Sequence, residues 1–417
     1  MTIRILHGDC IEMMRTLPDK SVHCVVTSPP YWGLRDYGVD GQIGLEASPM
    51  QWVQKMVEVF REVRRVLRDD GTVWVNIGDS YSNEGKWGGS TGGKHVKSLH
   101  GNTSIGRRKN NIGIKSKNLM GMPWRLAFAL QDDGWYLRQE IIWSKPNPMP
   151  ESVKDRCTKS HEQIFLLSKS SRYYFDVDAI AEAVSPNTHA RMAQDVEKQI
   201  GSARANAGGK TNGNLKAVVK GSTKAFANAP GSKQNTSFAE SVCLRIEKRN
   251  KRSVWEVATQ PFSEAHFATF PPQLIEPCIK AGTSEKGCCN KCGAPIKRIM
   301  EREIWDRDEV ETKTSYPKGS TAERLAKLRQ KARAQGEEYM SVVSTLNWDA
   351  SCECGDDTIP KKRCIVLDPF FGAGTTGLVA DRLQRDCIGI ELSQEYINIT
   401  ERRLRKDAGL LINIVRE

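Results

Sequence analysis

The chain has 417 residues, 39% hydrophobic and 27% charged, with a formal net charge of +12. It is long enough to bury a large core and longer than one simple domain needs; it has no apolar run near the roughly 18 residues of a membrane span and no signal-peptide pattern over residues 1–9, so a cytoplasmic chain without membrane contact is expected. Twelve cysteines, spread through apolar runs and one cluster, suit a reducing compartment with metal use better than a disulfide framework.

In chain order, residues 3–6 and 22–26 read as strands. Residues 49–67 predict an amphipathic helix, with Trp52, Met56, Val59, Phe60, Val63 and Leu67 at helical spacing. A strand at 72–77 follows, then a basic loop at 84–117 that holds eight glycines and 8 lysines and arginines against 1 acid. A helix over 122–131 ends near Asp133-Gly134. Strands at 137–143 and 163–167 predict a closing antiparallel pair, with Trp143-Ser144-Lys145-Pro146-Asn147-Pro148 between them. Residues 184–252 hold 13 lysines and arginines against 4 acids. These two segments carry +7 and +9, which leaves −4 for the rest of a chain whose total is +12. Polar basic segments of this kind can follow a phosphate backbone and release counterions as they bind. Cys278 lies behind Pro277 in an apolar helical stretch and reads as core. Residues 321–340 predict a charged, solvated helix. A buried-type strand at 364–368, a glycine turn, a helix over 378–384 and a second strand at 387–390 close the chain.

Three motifs carry chemistry. The first is Thr27-Ser28-Pro29-Pro30-Tyr31-Trp32, directly after an apolar strand. Two consecutive prolines fix φ and remove two donors, leaving the carbonyls of Ser28 and Pro29 to accept hydrogen bonds. With the serine oxygen and the aromatic pair, this is a grip for the exocyclic amino group and ring of a planar base. The second is Asp368-Pro369-Phe370-Phe371-Gly372-Ala373-Gly374-Thr375-Thr376-Gly377, followed by a helix and then a strand ending in Glu391. Strand, glycine turn, helix, strand and acid form a nucleotide-binding βαβ layout. The literal G-x-G-x-x-G match opens a nicotinamide reading. Against it, Asp368 beside the turn would repel a pyrophosphate and welcome a cationic amino acid, and no Gly-Lys-Ser/Thr follows to make a phosphate loop. The third is Cys289-x-x-Cys292 with Cys352-x-Cys354. Each pair can place two thiolates on one metal, and four complete a closed structural zinc site. Cys288 is an alternative to Cys289.

The first two motifs together resemble those of the β class of S-adenosylmethionine-dependent DNA amino-methyltransferases, in which the base-gripping motif precedes the cofactor motif. The likeness covers residues 1–83, 118–180, 253–284 and 361–405. It implies an α/β fold: a Rossmann-like, seven-stranded methyltransferase sheet with circularly permuted motif order. Both C-terminal strands would lie beside the N-terminal one. Ser28, Pro29, Pro30 and Tyr31 match the catalytic motif. Asp368, Phe370, Gly372 and Gly374, with Thr375, match the methionine-binding loop. Glu391 matches the ribose-binding acid and Asp9 the adenine contact. Phe270-Pro271 and Ala281-Gly282-Thr283 resemble the segment closing over the methionine end, and residues 143–148 the lining of the base pocket. Asp9, Ser28, Asp368 and Glu391 must then line one crevice.

The resemblance implies methyl transfer to an amino group of a base flipped out of double-stranded DNA. Serine before Pro-Pro favours cytosine N4; adenine N6 is the alternative. Carbon-5 methylation, which needs a nucleophilic cysteine, is disfavoured because Cys278 reads as core. A zinc-containing DNA-binding protein with an inactive core, and a methyltransferase for RNA or a protein amide, are readings of other classes. The expected organisation is a catalytic part at 1–175, a target recognition region at 176–255, a cofactor-closing segment at 256–286, a zinc-binding insertion at 287–360 and a cofactor-binding part at 361–417. Expected partners are DNA, a cognate restriction endonuclease and a second copy of the chain, in a bacterial or phage-encoded setting.

Overall fold

The computed structural model describes residues 1–33, 39, 41–82, 114–184, 248–260, 269–304, 341–355, 361–409 and 412–417. The expected helix at 321–340 and most of both basic segments lie outside the described residues. In chain order the elements are β1 (Thr2–His7), α1 (Cys10–Arg15), β2 (Val22–Thr27), α2 (Pro49–Val66), β3 (Leu67–Ile77), α3 (Met122–Asp132), β4 (Tyr136–Ser144), β5 (His161–Ser168), β6 (Glu182–Ala183), β7 (Lys248–Arg249), β8 (Val254–Glu256), α4 (Pro272–Gly282), β9 (Ile296–Ile304), β10 (Ser341–Ala350), β11 (Ile365–Asp368), α5 (Thr375–Arg382), β12 (Asp386–Glu391), α6 (Gln394–Ala408) and β13 (Asn413–Arg416).

The main sheet has the order β13-β1-β12-β11-β2-β3-β5-β4-β8. Neighbours run parallel except at β5, which is antiparallel to both β3 and β4. This is the closing pair expected from 137–143 and 163–167. Nine strands are present rather than seven. The two additions are short edge strands. β13 pairs with β1, where Glu417 N donates to the Ile5 carbonyl (3.0 Å) and Glu417 takes a fork from Arg4. β8 pairs with β4. Of the two strands expected beside β1, at 364–368 and 387–390, only the second is its neighbour: Ile5 sits opposite Gly389 of β12, while β11 lies between β12 and β2, with Val366 opposite Cys24.

Parallel strands covered on both faces read as continuous apolar runs, and β2 is buried at every position. The period of two divides each strand between two cores. Val25, Val73 and Val75 join Met14, Trp52, Phe60, Val63 and Leu126, under α1, α2 and α3. Cys24, Val26 and Trp74 join Leu274, Ile279, Leu378, Ile397 and Leu404, under α4, α5 and α6. The result is a three-layer α/β/α arrangement. α2 starts at a capping box in which Ser48 Oγ accepts from Gln51 N and Gln51 Oε1 accepts from Ser48 N, with Pro49 in the first turn. It ends at Val66, one residue early, because β3 begins at Leu67.

One compact unit comprises Met1–Ile180, Arg252–Lys297 and Trp348–Glu417. It contains all four cysteines of the Cys-x-x-Cys and Cys-x-Cys pairs. The other comprises Ala181–Lys251 and Arg298–Asn347, where β6 pairs antiparallel with β7. β9 and β10 pair as a two-stranded sheet. Among the described residues, no helix is long and apolar enough to cross a membrane.

Candidate active site

Open α/β sheets bind ligands beyond the carboxyl ends of their strands. A cavity of about 910 Å³ lies there, at the ends of β1, β2, β11 and β12. Asp9, Ser28, Asp368 and Glu391 all line it, as do Pro29, Pro30, Tyr31, Phe270, Phe370, Gly372 and Thr375. The volume is at the upper end of the usual range for ligand sites. Gly374 does not line the cavity. Its φ is +71°, and a Cβ there would lie 2.4 Å from Thr400 Cγ2, so this glycine lets the turn pack against α6.

On the glycine-turn side, each acid is held by local donors. Thr27 Oγ1 (2.7 Å) and Phe370 N (3.1 Å) donate to Asp368 Oδ1, and Thr376 Oγ1 (2.7 Å) donates to Oδ2. Burial pushes this carboxyl up to about 7 against those hydrogen bonds. Thr27 ends β2 and Asp368 ends β11, so this contact sets the two sequence motifs side by side. Glu391 Oε2 accepts from Gly372 N (2.7 Å) and Oε1 from Ser393 N (2.8 Å), which bolts the glycine turn to β12. Burial raises its pKa, and the two amides oppose the rise. Asp9 caps α1, accepting from Ile11 N and Glu12 N.

On the other side, Trp52 Nε1 donates to the Pro30 carbonyl (2.9 Å), pinning the diproline turn to α2. Tyr31 donates its hydroxyl to Glu162 Oε2 (2.9 Å). The same oxygen accepts from Asn76 Nδ2 (3.2 Å), and Glu162 Oε1 accepts from Lys145 Nζ (2.5 Å). Lys145 Nζ also lies 4.2 Å from the centre of the Trp143 ring. Burial and the adjacent Glu162 carboxylate raise the Tyr31 pKa, so the phenol keeps its proton. Trp143, Lys145, Asn147, Pro148, Asn76 and Glu162 all line the cavity. Glu162 and Asn76 are missing from the sequence reading. The available signal was weak: an acid two residues before the apolar run at 164–167, in the polar start of the strand HEQIFLLS. Trp32, the second aromatic of the motif, is 4% exposed, packs in the core and donates its indole N–H to the Glu46 carbonyl. Only Tyr31 of the pair faces the cavity.

Ala281, Gly282 and Thr283 do not line it. A Cβ on Gly282 would meet Thr72 and Cys24, and Thr283 accepts from Arg385. Ala281 and Gly282 belong to α4, which packs beneath the sheet. Cys278 is buried on the same helix, with its thiol toward the Leu274 carbonyl. The sulfurs of Cys289, Cys292, Cys352 and Cys354 lie within 4.8 Å of one another. A tetrahedral zinc with bonds of about 2.3 Å sets its sulfurs about 3.8 Å apart, so the four thiols are close enough to share one. Cys288 turns away toward His23 and Cys364.

A family model described as DNA methylase, of the N6/N4 methyltransferase type, matches residues 22–289 and 358–402. The type II methyltransferase M.Cfr9I of Citrobacter freundii is 36% identical over 411 residues, 98% of this chain and 90% of that protein. The type II methyltransferase M.SmaI of Serratia marcescens is 34% identical over 401 residues, 96% of this chain and 90% of its own. Among solved structures, PvuII DNA methyltransferase (cytosine-N4-specific) aligns with a TM-score of 0.47 at 16% identity, over 96% of this chain and 85% of that one.

Proposed function

This chain belongs to the N6/N4 DNA methylase family, and from that premise we propose that it methylates the N4 amino group of a cytosine flipped out of double-stranded DNA. It is an S-adenosylmethionine-dependent DNA amino-methyltransferase of the type II group. The observation that supports methyl transfer to a base amino group is the convergence of the Ser28–Tyr31 turn and the Asp368–Thr375 turn on one cavity. Serine before the two prolines favours cytosine, because it is commoner there among the family's cytosine-N4 enzymes.

S-adenosylmethionine supplies a methyl group already activated by its sulfonium. The chain's part is alignment, bringing the amine in line at about 3 Å. Ser28 Oγ and the Pro29 carbonyl accept the two amino hydrogens, which favours a more tetrahedral, nucleophilic nitrogen. Tyr31 faces the base ring, oriented by its hydroxyl on Glu162. Asp368, Phe370, Gly372, Thr375 and Phe270 surround the methionine end, Glu391 the ribose and Asp9 the adenine. The four clustered cysteines hold a structural zinc. Base readout is assigned to 176–255, with phosphate contact there and at 84–117. A cognate endonuclease, a homodimer and a cytoplasmic setting complete the reading.

Mass spectrometry of nucleosides from DNA methylated by the purified protein tests the target base. N4-methylcytosine is expected; N6-methyladenine in its place would overturn the cytosine assignment.

A further inference from the structure

We propose that the four-cysteine site clamps the amino ends of the strands whose carboxyl ends form the cleft, with His23 as the positioning residue that connects them. The inference rests on the zinc reading above.

The cysteine turn is stitched to three adjacent strands. His23, second residue of β2 and 6% exposed, places Nε2 2.8 Å from the Gly293 carbonyl, directly after Cys292. Its Nδ1 accepts from Ile365 N, the first residue of β11, at 3.0 Å. Because Nδ1 accepts, Nε2 carries the proton and donates. Arg68, near the start of β3, donates Nη1 to the Cys292 carbonyl at 2.8 Å and is held by Asp70. Cys288 N donates to the Lys362 carbonyl, and Lys362 N to Asn290 Oδ1 (2.7 Å). Both His23 nitrogens are engaged, so the buried trio His23, Cys288 and Cys364 is not a second metal centre.

β11 has only four residues, Ile365–Asp368. It is tied to β2 at both ends, by His23 to Ile365 at one and by Thr27 to Asp368 at the other. A loose start leaves Asp368 and the turn after it free to slide relative to Ser28. The metal would join the turn at 289–292 to the turn at 352–354 and close the long excursion between them. Closing a long loop is where a cross-link offsets most chain entropy. The clamp therefore acts on the cleft from the opposite end of the sheet, through strands rather than by contact.

The test compares wild type, His23→Phe and His23→Gln, each full-length and zinc-loaded. It measures metal content, S-adenosylmethionine affinity with and without zinc, and hydrogen exchange over 361–368. Wild type should hold one zinc per chain and lose about tenfold in cofactor affinity on chelation, the worth of one or two buried hydrogen bonds. His23→Phe should keep its zinc, bind the cofactor about tenfold more weakly with or without it, and exchange faster at the start of β11. His23→Gln, which can both donate and accept, should recover most of the affinity. A wild type that takes up no zinc defeats the zinc reading, and the clamp with it. A zinc-loaded His23→Phe protein with wild-type affinity and unchanged exchange defeats the clamp alone. If chelation unfolds the wild type, the zinc-loaded variants still decide the matter.

Discussion

Glu162 receives three donors at the cavity wall: the Tyr31 hydroxyl, the Asn76 amide and the Lys145 ammonium. A carboxylate can accept all three, whereas an amide must turn one donor outward toward another donor. Glu162→Gln should therefore lower kcat by about 10- to 100-fold, while cofactor affinity stays near wild type, because none of these groups touches the glycine turn. Single-turnover kinetics beside a cofactor titration reads both.

Asp368 gives a pH prediction. Its carboxyl rises from 3.8 in the unfolded chain to about 7 in the fold because it is buried. A raised acid binds more protons in the folded state, so its contribution is full below about pH 4 and is lost as pH rises through about 7. Asp368→Asn should flatten that fall. The amide fits, since Nδ2 can donate to Thr376 Oγ1 while that hydroxyl turns to the Val26 carbonyl, 3.4 Å away. If the carboxylate meets the cofactor's ammonium, wild-type affinity should strengthen between about pH 6 and about pH 8, and the asparagine variant's should not. Thermal unfolding and a cofactor titration across that range measure the two effects. Asp368 was legible in the sequence because it opens a contiguous motif at the end of an apolar strand. Glu162 was not, because it reaches Asn76 only through the antiparallel pairing of β3 with β5, where Asn76 lies opposite Ile164.

At the scale of elements, the glycine turn is set by what packs behind it. Gly374 stands at the N-cap of α5 with φ +71° and no room for a Cβ against Thr400. Gly374→Ala combines left-handed strain with overpacking and should cost about 1–3 kcal/mol, read as a lower denaturation midpoint. Gly41 also has positive φ, but a Cβ there meets nothing within 4 Å; Gly41→Ala should cost about 1–2 kcal/mol, from backbone strain alone. The long elements were visible in the sequence. α2 has a continuous apolar stripe, and β2 and β11 have buried apolar runs. The edge strands were not, because β8 has three residues and β13 four, too few to display a period. The turn at 281–283 misled for a different reason: its residue types fit a cofactor contact, but α4 carries it beneath the sheet.

Over the whole molecule, the sheet takes its centre from both ends of the chain, with β12 and β11 inserted between β1 and β2. That is why two motifs more than 300 residues apart in sequence share one cavity. The order of the motifs, together with the family they resemble, made this legible before any coordinate; the register that sets Thr27 against Asp368 was not. The positive charge sits in the two basic segments, so affinity for duplex DNA should fall steeply as salt rises while cofactor affinity barely changes. Titrations at two ionic strengths measure this.

The central claim is that the serine–diproline–tyrosine turn acts on the substrate amine while the glycine turn holds the methyl donor. Transfer of tritiated methyl from S-adenosylmethionine to duplex DNA, measured in single turnover for wild type, Ser28→Ala and Tyr31→Ala, tests it most directly, with cofactor affinity determined on the same preparations. The account predicts wild-type affinity in all three and transfer slowed by about 10²-fold in Ser28→Ala, with Tyr31→Ala losing about 1–3 kcal/mol of stacking on the flipped base. Undiminished transfer by both variants would contradict it.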